Sequence, residues 1–251
     1  MTDLYPDAIP FSRPDPLPTP ERALTIGAHP DDAEFGAGGT LARWAQAGTQ
    51  ISMMIVTDGS KGSWDPAVTA RDLARFRMTE QLAAADRLGV TGDIVHLDFV
   101  DGELEYTMEL RKLVCEWIRR LRPDVVLSHD PWKRYMLHPD HRATGIGAID
   151  GVVAARDHLF YPEQGLEKHR PDALLLWSAD EPDYWEDITP TFDIKIEALL
   201  CHLSQTQSTM NDASKGMEAR AAFIIKMKER AALNGQGVGL SEAESFKLIR
   251  P

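Results

Sequence analysis

The sequence predicts an α/β fold, a Rossmann-like, mostly parallel sheet with helices on both faces in a single domain, and three observations carry that expectation. Short apolar runs alternate with longer segments of helical periodicity. The runs end in loops rich in Gly and Asp, at the position where α/β sheets bind their ligands. A length of 251 residues with 43% hydrophobic content is enough for one sizeable core.

Taken in order, residues 1–20 are rich in proline and lack apolar periodicity, so they read as an extended arm draped over the domain at 21–251 or over a neighbouring subunit. Ala23-Leu24-Thr25-Ile26-Gly27, apolar and closed by Gly and Pro, is a buried strand, and Gly38-Gly39-Thr40 opens a helical pattern through Leu41, Trp44 and Ala45. Ile51 to Val56 is a second buried strand, leading into the Gly-rich loop 57–63. A helix is expected from about Thr69 to Leu88, stopping near Gly89, followed by a strand at 94–97 and a loop at 98–102. Leu110, Leu113, Val114, Trp117, Ile118 and Leu121 fall on one stripe of a helix that Pro123 follows. Val125 to Ser128 is a fourth strand, and a long loop over 129–137 leads to His138-Pro139-Asp140-His141. Pro139 suits the first position of a helix running through Ile149 and Val153. Ala173 to Trp177 supplies a fifth strand, 180–192 reads as irregular, and helices at 194–203 and 211–233 close the chain. No internal repeat and no further domain boundary is visible.

Composition narrows the function. With 27 basic and 39 acidic residues the formal charge is −12, which repels a phosphate backbone, so nucleic acid is not expected as a partner. No run reaches the roughly 18 apolar residues of a membrane span, and the N-terminus has no apolar signal core, so a cytoplasmic protein is expected. Cys115 and Cys201 lack CxxC spacing and read as structural thiols.

Two constellations carry chemistry: His29-x-x-Asp32 after the first strand, and His138-x-x-His141 beyond the fourth. Residues three apart on a first helical turn point the same way, so either pair can meet a shared centre. Three N/O donors with an open position are what a catalytic zinc ion requires. Taken singly, each motif is as easily a helix cap; together, at the ends of strands in one sheet, they favour a metal site. Gly36, Gly38 and Gly39 do not form GxGxxG, so no nucleotide site is expected there.

The loop Ala28-His29-Pro30-Asp31-Asp32, the following Gly38-Gly39-Thr40 and the later His138-Pro139-Asp140-His141 resemble the LmbE-like, or PIG-L, de-N-acetylases. Thr57-Asp58-Gly59, Arg77-x-x-Glu80, 98–102, Lys195-x-x-Ala198-Leu199 with Ser204-Gln205, and Ala243-Glu244-x-Phe246 extend the resemblance over nearly everything after the arm. The resemblance implies zinc, or another divalent transition metal, bound by His29, Asp32 and His141. It implies Asp31 as general base and His138 opposite it as acid or oxyanion stabiliser, with Asp140 orienting His138 and keeping it protonated. It implies hydrolysis of the N-acetyl group of an amino sugar or its conjugate. A homo-oligomer is expected. Arg77, Asp101 and Trp132 are candidate substrate contacts, with Trp64 and Trp132 able to stack on a sugar ring. Glu34 stands one residue later than the carboxylate many family members carry, and is as readily structural as catalytic. Among the other histidines, His129 follows a strand and is the spare imidazole of interest, whereas His96, His158, His169 and His202 read as surface or packing residues. The competing class is a catalytically silent α/β binding module that keeps the metal loop for structure.

Overall fold

The computed structural model describes residues 15–210, 212–213 and 215–251. A seven-stranded sheet has the order β3-β2-β1-β4-β5-β7-β6. Strands β1 (Arg22–Gly27), β2 (Gln50–Thr57), β3 (Ile94–Phe99), β4 (Val125–His129) and β5 (Ala173–Trp177) pair in parallel. β7 (Ala243–Ile249) runs antiparallel to both β5 and the edge strand β6 (Tyr184–Asp187). The parallel strands are apolar on both sides because helices cover both faces.

On one face lie α1 (Asp32–Gln46), α2 (Ala70–Leu88) and α5 (Phe192–Leu199), which enclose Ala23, Leu41, Trp44, Ile51, Met53, Leu127, Leu175 and Trp177. On the other, α3 (Met108–Leu121) and α4 (Pro139–Arg156) close over Leu24, Ile26, Met54, Val126 and Leu174. A third cluster joins α5 to α6 (Met217–Gly235) through Ile188, Phe192, Ile196, Phe223 and Met227. The strand order reverses between β1 and β4, so the crevice at their carboxyl ends is the ligand position expected of this topology.

Several elements differ from the sequence reading. α1 begins at Asp32, one turn and a half before Gly38, so Gly36, Gly38 and Gly39 lie inside it. They belong there because the helix is pressed close to its neighbours: a Cβ at Gly36 would meet the Trp177 ring at 2.5 Å, and one at Gly39 would meet Ile188 Cβ at 2.6 Å. The stretch 180–192 contains the short strand β6, and 243–249 forms β7; both carry charges and lie at the far end of the sheet. The last two helices begin and end elsewhere, at Phe192–Leu199 and Met217–Gly235. Of the proline-rich arm, residues 1–14 lie outside the described residues. Its final part is tied down: Leu17 N–H donates to Tyr184 Oη and Thr49 Oγ1 donates to the Pro20 carbonyl.

β7 also binds the site's scaffold together. Buried Glu244 accepts from Gly39 N–H, Thr40 N–H and Thr40 Oγ1, and is ion-paired with buried Lys195 of α5, whose Nζ also donates to the Phe35 carbonyl. One carboxylate thus fixes α1, α5 and β7 relative to one another.

The close approach of α1 gives a test of this packing. Replacing a helical glycine with alanine ordinarily adds about 1 kcal/mol of stability. Gly39→Ala is expected to lower stability instead, by about 1–3 kcal/mol, because Ile188 is met at its branch point and cannot swing aside. Urea denaturation measures the difference; a raised midpoint would mean α1 and Ile188 are not in contact.

Candidate metal centre

The loop between β1 and α1 turns sharply at Asp31, which takes a left-handed backbone conformation with φ of 92°. In a residue with a side chain that geometry costs on the order of 1–3 kcal/mol and persists only where surroundings enforce it. It lets His29 and Asp32 face the same point: the His29 backbone N–H donates to Asp32 Oδ2 at 2.7 Å. The second motif arrives at the N-terminus of α4, where His138 is the N-cap residue and Pro139 occupies the first turn as expected.

Three donor atoms converge. His29 Nδ1 lies 3.2 Å from His141 Nε2 and 3.4 Å from Asp32 Oδ2, and His141 Nε2 lies 3.3 Å from Asp32 Oδ1. Ligand atoms about 2.0–2.2 Å from a tetrahedral ion stand about 3.3–3.6 Å apart, a spacing that each of these pairs approaches, Asp32 facing His29 with one oxygen and His141 with the other. His29 and Asp32 are buried and His141 is partly open to the cavity, as a site with a free position requires. The residues present therefore fit a divalent ion of zinc type.

Further hydrogen bonds set the tautomers. His29 Nε2 faces Asp140 Oδ2 at 3.0 Å and Asp101 Oδ1 at 3.1 Å. Both carboxylates are held ionised: Asp140 lies below the usual range and Asp101 is drawn down to about 2, burial being outweighed by His29 and by backbone N–H donors from Gly102 and Lys61 respectively. They can only accept, so Nε2 keeps its proton and Nδ1, which faces Asp32 and His141, is the nitrogen left for a metal. Burial lowers the His29 pKa, but Asp101, Asp140 and Asp32 raise it further. His129 is fixed by the opposite logic. Trp177 Nε1–H donates to His129 Nδ1 at 3.0 Å, which leaves Nε2–H to donate to Asp32 Oδ2 at 3.1 Å. Burial keeps His129 neutral. Its ring stacks on His141 at 4.2 Å, but both its nitrogens are committed to other partners.

Asp31 and His138 border the same cavity, of about 690 Å³. Burial pushes the Asp31 carboxyl up to about 6, against the pull of Arg77 and His202. Among the described residues its Oδ2 accepts no hydrogen bond, and it lies 3.5 Å from Arg77 Nη2. The His138 ring sits 4.5 Å from His29 and 4.7 Å from His141, and its Nδ1 is buried without a partner among the described residues.

Five placements differ from the sequence reading or add to it. Asp140 does not orient His138; it bonds to His29 and to the N–H groups of Gly102 and Leu104, because the first turn of α4 points it back under the β1 loop. Nor is His138 held protonated, since burial and the two neighbouring imidazoles lower its pKa. Asp101 serves His29 as well as lining the cavity. Arg77 is buried, not exposed, and reaches the cavity, but its guanidinium donates to the carbonyls of Gly59 and Pro30, bracing the loops after β2 and β1. Trp132 is 66% exposed and lines a separate cleft with Asp130 and Asp180, whereas Trp64 stands at the rim of the metal cavity. The sequence reading missed Trp177 and Gln81, whose parts in the site depend on contacts across the sheet and between helices that no local motif marks.

Comparison with known proteins agrees with this geometry. Residues 24–151 match the model of the family described as PIG-L, GlcNAc-PI de-N-acetylase. The diacetylchitobiose deacetylase of Thermococcus kodakarensis is 37% identical over 198 residues, covering 78% of this chain and 74% of the relative. A probable N-acetyl-alpha-D-glucosaminyl L-malate deacetylase 2 of Bacillus anthracis is 25% identical over 215 residues, 82% and 91% of the two chains. The solved structure of N,N'-diacetylchitobiose deacetylase from Pyrococcus horikoshii, in complex with an inhibitor, superimposes with a TM-score of 0.83 at 30% identity, covering 92% of this chain and 84% of that one. The 4-carboxy-2-hydroxymuconate hydratase of Pseudomonas putida has the same fold, with a TM-score of 0.74 at 21% identity. Fold alone therefore does not settle the chemistry; the site does.

The tautomer argument separates the histidines. His141→Ala is expected to abolish tight binding of Zn²⁺, while His129→Gln retains one ion per chain. Asp140→Asn, which weakens the hold on His29 Nε2–H, is expected to cost about 10–100-fold in Zn²⁺ affinity by chelator competition. Metal loss on changing His129 with retention on changing His141 would reverse the assignment.

Proposed function

The chain belongs to the PIG-L family of GlcNAc-PI de-N-acetylases and is an N-deacetylase acting on an N-acetylated amino sugar or its conjugate; we propose that zinc, held by His29, Asp32 and His141, is its metal and that Asp31 is its general base. The observation that carries this reading is the near-tetrahedral spacing of the three donors beside a buried carboxyl whose Oδ2 is free of hydrogen bonds.

When bound by His29, Asp32 and His141, zinc would supply a water of lowered pKa, toward ~7, and a Lewis acid for the carbonyl. The rest of the chemistry falls to side chains. Asp31, with its pKa near 6, is ionised at neutral pH yet basic enough to take a proton from the attacking water. Water adds to the amide carbon and negative charge grows on the carbonyl oxygen. His138, neutral, offers one ring N–H to that oxygen from the far side of the cavity. The C–N bond breaks when the proton held by Asp31 passes to the departing nitrogen, giving acetate and a free amine. Trp64 at the rim and Asp101 within the cavity border the space for the sugar.

The silent-module reading predicts none of this: a purely structural metal does not require a second carboxyl, buried beside it and facing the same cavity. Among substrates, diacetylchitobiose is the first to assay, given the two chitobiose-deacetylase relatives. We place the protein in the cytoplasm; no helix of the described residues is long and apolar enough to cross a membrane.

A panel of N-acetylglucosamine, N,N'-diacetylchitobiose and the malyl and inositol conjugates of N-acetylglucosamine, assayed for acetate release, tests the reading. Release is expected with at least one and is expected to stop with a chelator and return with Zn²⁺. Asp31→Asn is expected to keep the metal and lower turnover by ~10²-fold or more. Near-normal turnover in that variant would remove Asp31 from the role of base.

A further inference from the structure

We infer that Gln81 is a positioning residue for Asp31, and that buried Glu34 determines which end of the Gln81 amide faces it. The inference rests on the assignment of Asp31 as base.

Asp31 holds a left-handed backbone conformation that a residue with a side chain rarely adopts, and something must enforce it. The contact that does so is not local. Gln81, 1% exposed and one helical turn beyond Arg77 on α2, accepts a hydrogen bond at its Oε1 from the Asp31 backbone N–H at 3.1 Å. Arg77 braces the adjoining Pro30 carbonyl from the same face of that helix. The strained residue is thus held from α2, an element to which the β1–α1 loop is not joined in sequence.

An amide side chain can present either oxygen or nitrogen, and only oxygen serves an N–H. Glu34 removes the choice. It is fully buried, and its Oε1 accepts from Gln81 Nε2 at 2.7 Å, with Met53 Sδ 3.7 Å from the same nitrogen. With its NH₂ end on Glu34, Gln81 turns its oxygen to Asp31. Beside Glu34 stands His202, whose Nε2 lies 3.8 Å from Glu34 Oε1 in a fully buried position. Glu34 is therefore neither a ligand nor a reacting group; it acts through Gln81. His202, with no motif spacing in the sequence, acts one step further back.

Gln81→Leu removes the acceptor and keeps an apolar side chain of similar length; Glu34→Gln keeps the volume and frees the Gln81 amide to turn over. Both are expected to retain one Zn²⁺ per chain and the cooperative melt. On the substrate of the panel that is turned over, kcat is expected to fall about tenfold to a hundredfold with KM little changed, the scale of a misplaced reacting group. In an Asp31→Asn background, Gln81→Leu is expected to cost nothing further, because its effect passes through Asp31; a full additional loss there would overturn the inference. A readout independent of turnover is amide hydrogen exchange of the holoprotein. The Asp31 N–H is expected to exchange at least tenfold faster in Gln81→Leu than in the wild type while the α1 and α2 amides keep their protection. Unchanged protection at Asp31 would equally overturn the inference, whereas absent acetate release by the wild type with faster exchange in the variant would sink only the enzymatic reading.

Discussion

The proton on His29 Nε2 is the constraint on which the site depends. Two ionised carboxylates, Asp101 and Asp140, lie within 3.1 Å of that nitrogen and can only accept, so Nδ1 is the nitrogen left for a metal. Everything else is placed to match. Asp32 and His141 stand at shell-edge distances from Nδ1, His129 donates to Asp32 under the control of Trp177, and the turn at Asp31 swings the neighbouring carboxyl clear of the donor set. The carboxylates belong to different elements, the loop after β3 and the first turn of α4, and the histidine to the loop after β1. Three crossovers of the chain must be in register before one imidazole is oriented.

That dependence explains the weight of polar interactions beneath the metal loop. Buried charges are costly unless paired, and several of those here join one element to another. Glu244 and Lys195 join β7 and α5 to the first turns of α1, Arg77 joins the loops after β1 and β2, and Glu34 with His202 and Gln81 joins α2 to the Asp31 turn. A reacting site held to a fraction of an ångström needs a supporting layer of this kind, and it is built from packed helices.

The central strands and the two metal motifs were legible in the sequence because each is encoded locally: apolar runs of strand length, a stripe at helical spacing, His-x-x-Asp and His-x-x-His at strand ends. β6 and β7 were not, since β6 is a short edge strand and β7 alternates polar and apolar residues, so neither has the apolar run that marks a central parallel strand. The start of α1 was misplaced because glycines usually interrupt helices, and here they admit Trp177 and Ile188. Asp140 was expected beside His138, its neighbour in the motif; on a helix N-terminus adjacent residues diverge, and its partner proved to be 111 residues away in sequence. Trp132 follows the same lesson, because a loop residue of the right type can face the wrong cleft.

The account is tested most directly by locating the ion in crystals of the Zn²⁺-loaded protein by anomalous scattering at the zinc edge. A single ion within about 2.0–2.2 Å of His29 Nδ1, the Asp32 carboxylate and His141 Nε2 is the predicted result, with His129 and Asp140 off the metal. An ion on His29 Nε2 among Asp101, Asp140 and His138, or one ligated by His129, would contradict the tautomer on which the site is built.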